Sequence, residues 1–167
     1  IDAFARQGVE LKVISGDNLE TVRAIAHQAG MRQAKAYTGD QVEAMSAAEL
    51  EVAVAEANVF ARVEPETKRK IIRALKAEGH YVAMVGDGVN DAPALKEANM
   101  AVAMNDGAQI AKDVADIVLL DHSMTTLPLA EDLRHDAIVS DQELLHGAGL
   151  HLHRVHGAAF LDDAHPD

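Results

Sequence analysis

The chain has 167 residues, 49% of them hydrophobic and 25% charged, so it can build a real core and is not disordered by composition. Its 27 acidic against 15 basic residues give a net charge of −12, which argues against nucleic acid as a partner, because phosphate backbones need a cationic face. The lack of cysteine excludes disulfides, thiolate metal sites and a cysteine nucleophile. No apolar run reaches the roughly 18 residues of a membrane span, and no basic stretch followed by an apolar one marks a signal peptide.

In chain order, residues 1–7 read as the end of a helix closed by Gly8. Residues 10–14 (ELKVI) are a short β-rich run, and 18–29 a helix stopped by Gly30. Ser46, with Glu49 three residues later, opens a helix over 46–57. A short strand at 59–63 precedes a helix over 65–78, opened by Pro65 and closed by Gly79. Residues 81–85 read as a buried strand, 91–99 as a helix, 100–104 as a strand, 109–115 as a helix and 117–120 as a strand. Such alternation predicts an α/β fold, a parallel sheet with helices on both faces. Its core strands are expected to be those ending at Ile14, Val85 and Met104.

The pattern changes after residue 130. Six of the nine histidines lie beyond it (His135, His146, His151, His153, His156 and His165), no lysine follows Lys112, and periodicity fades. The chain therefore divides into an α/β unit over 1–130 and an aberrant or disordered tail over 131–167.

Ligands of an open parallel sheet bind beyond the carboxyl ends of its strands. Ser15-Gly16-Asp17-Asn18 follows the first strand, and a hydroxyl with backbone N–H groups at a helix start can cradle a phosphate. The same residues also suit an ordinary helix cap. Residues 84–91 (MVGDGVND) place two carboxylates, an amide and two glycines in a short stretch after an apolar strand. Asp87 and Asp91 can offer oxygens to a hard cation such as Mg²⁺, which takes one or two carboxylates with water and phosphate. Lys68, one turn into the helix opened by Pro65, can screen a phosphoryl group or simply sit in solvent beside Arg69 and Lys70.

Ser15, Lys68 and Asp87 with Asp91, each in a strand-end loop and in that order, resemble three of the four parts of a haloacid-dehalogenase-type phosphoryl-transfer site. GDGVNDAPALK (86–96) resembles the hinge motif of P-type cation-transporting ATPases. SGDN (15–18) resembles their TGD-type segment, with serine for the usual threonine, and FARVEPETKRKII (60–72) the segment carrying their conserved lysine. The resemblance runs from Ile1 to about Ala130. It implies a haloacid-dehalogenase-like (Rossmann-like) sheet, incomplete, forming the C-terminal part of a phosphorylation domain.

By that resemblance Asp87 holds Mg²⁺ and Asp91 supports the metal site. Ser15 hydrogen-bonds phosphoryl oxygens, Lys68 neutralises charge at the phosphorylated carboxylate, and Gly16, Asp17 and Asn90 shape the loops. The parent would couple ATP hydrolysis to cation movement from a membrane, with this domain on the cytoplasmic side. This chain, lacking a span, is itself expected in the cytoplasm. Lys96 leans towards the hard-cation, calcium-type group.

The DKTGT string that carries the family's phosphorylated aspartate is absent. Asp121 in LDHSMTT (120–126) is only its imitation, so no ATPase turnover is expected from this chain alone. A free-standing phosphatase of the same superfamily is the alternative, though residues 1–8 lack the Asp-x-Asp it would need. A non-catalytic Mg²⁺ and phosphate module, or a piece complementing a separately encoded N-terminal half, is another. For the tail, a one-base shift lets 141–146 and 153–160 encode strings resembling a pump's membrane helix, which suggests a frameshift near 131–134. The competing readings are a metal-binding tail built on His151, His153 and His156 and a divergent C-terminus.

Overall fold

Side-chain alternation along the strands decides which helices cover which face. The computed structural model describes residues 2–6, 8–31, 35–120 and 136–140. The first half holds α1 (Asp2–Arg6), β1 (Val9–Ile14), α2 (Leu19–Gln28), β2 (Ala36–Thr38), α3 (Gly39–Ala44), α4 (Ala47–Glu56), β3 (Val59–Ala61) and α5 (Pro65–Ala77). There follow β4 (Val82–Gly86), a single 3-10 turn (Val89–Asp91), α6 (Ala92–Glu97), β5 (Met100–Met104), α7 (Gln109–Val114), β6 (Ile117–Leu119) and β7 (Asp136–Ser140). The strands form one sheet in the order β2-β3-β1-β7-β4-β5-β6, and every described pairing is parallel.

On one face Ile14, Phe60, Met84 and Ala103 pack against Val42, Val54, Ile71, Leu75 and Leu95, from α3 to α6. On the other, Val13, Val59 and Ala61 meet Val22 and Ala26 of α2, while Val9, Val85, Val102 and Met104 cluster with Phe4 of α1. Burial of this apolar surface on both faces is the main favourable term for such a sheet. The fold is thus the α/β parallel sheet that the alternation predicts, and the strands ending at Ile14, Val85 and Met104 lie in its core.

The chain reading differs from the structure at two places. It leaves out β2 and α3, which are short. Three residues at a sheet edge carry little periodicity, although Thr38 and Gln41 form a legible start signal, Gln41 Oε1 accepting from the Thr38 N–H at 2.8 Å. It also reads residues 136–140 as aperiodic tail, whereas they form β7 between β1 and β4. A parallel strand inside a sheet is a short apolar run without alternation, and a run of Ala-Ile-Val is too brief to stand out. Asp121 and residues 141–167, on which the frameshift and histidine-tail readings rest, lie outside the described residues.

Two polar networks hold the elements in place. Lys12, 1% exposed in the middle of β1, donates to Glu10 Oε1 at 2.7 Å and to the Ala57 carbonyl at 2.9 Å. Ala57 closes α4, so the ammonium also meets the negative end of that helix. The second network clamps α5 to the end of α6. Arg69 Nε and Arg73 Nε reach Glu97 Oε2 at 3.1 and 2.8 Å, and Lys76 Nζ donates to the Glu97 carbonyl at 2.6 Å. Burial pushes the Glu97 carboxyl up, but the hydrogen bonds and charges of Arg69 and Arg73 outweigh it and hold it below the usual range.

A carboxyl held low in the folded state contributes stability above its unfolded pKa and loses it as pH falls through the folded value. Urea midpoints measured from neutral pH down through the carboxylate range, about 4.3 and below, should therefore fall less in Glu97→Gln than in the parent chain. The difference should be under about 1 kcal/mol, since the arginines are partly solvated. A second prediction concerns the turn into α3. A Cβ on Gly39 would collide with the Arg62 carbonyl oxygen, whereas one on Gly16 would meet only the Val63 carbonyl, at 3.8 Å. Gly39→Ala should cost about 1–3 kcal/mol in denaturant titration, as overpacking does, and Gly16→Ala should be close to neutral.

Candidate functional site

The strand order reverses between β1 and β4, and loops that follow strands on either side of such a point form a crevice. Four loops meet there. The loop after β1 supplies Ser15, Gly16 and Asp17; the loop after β3 supplies Val63 and Glu64, leading to Pro65; the turn after β4 supplies Asp87, Gly88, Asn90 and Asp91; and the loop after β5 supplies Asp106, Gly107 and Ala108. With Lys68 they line a cleft of about 580 Å³, within the range of small-molecule sites.

The first two loops are stitched by backbone bonds. Arg62 N–H donates to the Asp17 carbonyl at 2.8 Å, and Val63 N–H to the Ser15 carbonyl at 3.0 Å. Arg62 adopts a left-handed φ of 53°, unusual for a side-chain-bearing residue, in the same turn that sets these two bonds. Ser15 is buried, and its Oγ accepts from the Asp17 N–H at 3.1 Å. Asn18 caps α2, accepting from the Thr21 N–H at 2.9 Å.

Lys68 lies in the apolar stripe of α5, with Thr67, Ile71, Ile72 and Leu75, and is 3% exposed. Its Nζ meets Asp91 Oδ1 at 2.7 Å. The other Asp91 oxygen accepts from the Gly88 N–H at 3.0 Å. Asp91 itself is 1% exposed, so this is a charge pair sealed from water at the floor of the cleft. Glycine is required beside it, because a Cβ on Gly86 would stand 2.7 Å from the Asp91 Cβ.

Asp87 is half-buried at the cleft wall. Its carbonyl accepts from the Ala108 N–H at 2.6 Å, and a Cβ on Gly107 would stand 2.8 Å from that carbonyl oxygen. Asp17 and Asn90 are exposed at the cleft, and Gly16 lines it. All the predicted residues, Ser15, Gly16, Asp17, Lys68, Asp87, Asn90 and Asp91, therefore share one cleft, and Lys68 is buried rather than solvated. The sequence reading missed the Asp106-Gly107-Ala108 loop. The signal was available: an Asp-Gly pair follows β5 just as Gly-Asp pairs follow β1 and end β4.

The cleft carries more negative than positive charge. Lys68 is matched by Asp91, and the carboxylates of Asp17, Glu64, Asp87 and Asp106 also line the walls. Among the described residues, no three Asp, Glu or His side chains converge as a metal cage. A small hard cation held by one or two carboxylates and completed by water and an anionic ligand fits this donor set, and a calcium-type cage of six to eight protein oxygens does not.

A family model of haloacid dehalogenase-like hydrolases matches residues 1–99. Among curated proteins, a probable cation-transporting ATPase F of Mycobacterium bovis is 46% identical over 130 residues, covering 74% of this chain and 14% of that protein. The endoplasmic reticulum calcium ATPase srcA of Aspergillus fumigatus is 43% identical over 129 residues, covering 74% and 13%. A magnesium-transporting ATPase, P-type 1, of Salmonella typhimurium is 42% identical over 127 residues, covering 76% and 14%. Among solved structures, the catalytic domain of the CPx-ATPase CopB-B, studied for its changes on nucleotide binding, aligns with a TM-score of 0.50 and 29% identity over 68% of this chain and 35% of that one. The chain thus spans about one seventh of the length of these curated relatives. No helix among the described residues is long and apolar enough to cross a membrane. The chain belongs to the haloacid dehalogenase-like hydrolases, and its relatives within them are the P-type cation-transporting ATPases.

Proposed function

We propose that this chain is part of the phosphorylation domain of a P-type cation-transporting ATPase, and that its cleft binds Mg²⁺ and a phosphoryl group together. The observation that carries this reading is the sealed Lys68–Asp91 pair, with Ser15 on one side and Asp87 on the other, all facing one cleft. Asp87 is the residue to hold the metal. Asp91, whose oxygens already accept from Lys68 and Gly88, supports the site from beneath. Mg²⁺ supplies charge neutralisation and orientation of phosphoryl oxygens when bound.

The chain's own residues do the rest. Ser15 offers a hydroxyl, and the loop around Gly16 and Asn90 offers backbone and amide groups to the anion. Lys68 brings positive charge to the cleft floor, in surroundings where charge is poorly screened. In the intact pump the partners would be ATP and a hard cation, and the domain would work on the cytoplasmic side of a membrane. A separately encoded N-terminal half is a further partner that this reading allows. Catalysis of phosphoryl transfer depends on complete positioning, so these residues would act together with the rest of the pump.

Calorimetry tests the central claim. Phosphate alone should bind weakly, because Asp17, Glu64, Asp87 and Asp106 repel it, and should bind at least about tenfold more tightly with Mg²⁺ present, a change of about 1.4 kcal/mol. Asp87→Asn should abolish that Mg²⁺ dependence without changing the far-ultraviolet circular dichroism. Phosphate affinity indifferent to Mg²⁺ would refute the joint site. The buried pair has its own test. Lys68→Met leaves the Asp91 carboxylate buried without its cation and should cost about 3–5 kcal/mol in denaturant titration, whereas Lys68→Met with Asp91→Leu should recover much of the loss.

A further inference from the structure

Asp87, the residue proposed to hold the metal, stands between Gly86 and Gly88. Neither neighbour has a side chain to brace it, and glycine leaves the backbone its widest freedom. Support comes instead from the loop after β5. Ala108 N–H donates to the Asp87 carbonyl at 2.6 Å. A Cβ on Gly107 would stand 2.8 Å from that carbonyl oxygen, 3.0 Å from the Asp87 Cα and 3.1 Å from its Cβ. The bare backbone of Gly107 therefore lies flat against the root of the Asp87 side chain. That loop is itself held from three sides. Asn105 N–H donates to the Leu119 carbonyl of β6 at 2.8 Å, and Gly107 N–H to the Met104 carbonyl of β5 at 3.1 Å. Lys112 Nζ of α7 donates to the Asn105 carbonyl at 2.8 Å.

We infer that Gly107 is a positioning residue that sets which metal ion the cleft prefers, by bracing Asp87 for a cation of the size of Mg²⁺. The inference rests on the reading that Asp87 holds Mg²⁺. Mg²⁺ demands near-ideal octahedral geometry with oxygens at about 2.0–2.1 Å, whereas Ca²⁺ accepts irregular shells at about 2.3–2.6 Å. A carboxylate braced at its root suits the demanding ion and gives the tolerant one nothing extra. A Cβ at position 107 would push Asp87 aside, because the loop is tied to β5, β6 and α7 and has little room to retreat. The displaced carboxylate then misses the octahedral position but still serves a larger, more flexible shell. Gly107 acts only through Asp87: a residue without a side chain offers the metal no ligand of its own, and its effect is on the direction of the carboxylate.

The full chain is titrated with Mn²⁺, the free ion is followed by electron paramagnetic resonance, and Mg²⁺ and Ca²⁺ are added as competitors, which yields both affinities. Gly107→Ala should lower the Mg²⁺ affinity about tenfold, the scale of changes made behind a metal ligand. The Ca²⁺ affinity should fall by about threefold or less, because Ca²⁺ tolerates irregular shells. The ratio of Mg²⁺ to Ca²⁺ affinity should thus fall by about threefold or more. Lys112→Met inserts nothing into the packing and only frees the loop from α7, and the ratio should move the same way by about twofold. Leu50→Ala opens a cavity in α4, away from the cleft lining. It should lower the urea midpoint and keep the parental ratio, which separates positioning from a general loss of stability. An unchanged ratio in a Gly107→Ala chain with parental circular dichroism, or in Lys112→Met should Gly107→Ala not fold, overturns the positioning role. If Asp87→Asn loses both ions in the same titration, the cleft reading still stands. An Asp87→Asn chain that binds Mg²⁺ as tightly as the parent overturns the metal reading and this inference with it.

Discussion

The contact between Lys68 and Asp91 organises the site. Both side chains are removed from water and held at 2.7 Å, a placement whose desolvation cost is offset only when geometry and further hydrogen bonds are good. The chain meets that condition with local means. Gly86 has no side chain, which lets Asp91 fold back against the end of β4, and the Gly88 N–H satisfies its second oxygen. Lys68 is held in the apolar stripe of α5 by Ile71, Ile72 and Leu75, and Glu97, gripped by Arg69, Arg73 and Lys76, keeps α5 and α6 in register with each other. The pair is therefore the point where packing of two helices, the turn after β4 and the charge of the cleft depend on one another.

Around that floor, the walls are set by backbone rather than by side chains. The loops after β1 and β3 exchange hydrogen bonds through Ser15, Asp17, Arg62 and Val63, and the loops after β4 and β5 do so through Asp87 and Ala108. Close approaches at Gly39 and Gly107 leave no room for a Cβ. A site built this way has little freedom to rearrange, which is what electrostatic stabilisation of a phosphoryl group requires. Its excess of carboxylates bears on the proposed function: an anion should bind more tightly when a cation is present, which would couple metal and phosphate binding by charge.

The place of β7 changes how the sheet is understood. Within the described residues, β2, β3 and β1 form one group and β4, β5 and β6 another, and β7 joins them by pairing with β1 and β4. The cleft opens above that junction. A strand that comes last among the described residues and lies at the centre of the sheet makes closure of the two halves a long-range event, which costs loop entropy before any contact rewards it.

Much of this was legible in the chain. The alternation of helices and strands, the stop at Gly30, the capping box at Ser46 and Glu49, and Pro65 at the start of α5 are local signals with local causes, and the elements formed as they indicate. The three motifs around Ser15, Lys68 and Asp87 were legible for the same reason, since each is a short string tied to one turn. Lys68 was ambiguous as a single residue, open to solvent in the chain reading, and only the structure places it on the buried face of α5 with Ile71, Ile72 and Leu75. What the sequence alone determined, then, is most of the elements, though not β2, α3 or β7, together with the α/β class and the chemistry of three of the four loops that line the cleft. The tertiary structure decided which strand ends come together, that the Asp106-Gly107-Ala108 loop joins them, that Lys68 meets Asp91, and that residues 136–140 enter the middle of the sheet. Those outcomes depend on pairing between segments far apart in the chain, and a parallel strand flanked on both sides leaves no periodic mark by which its neighbours can be read.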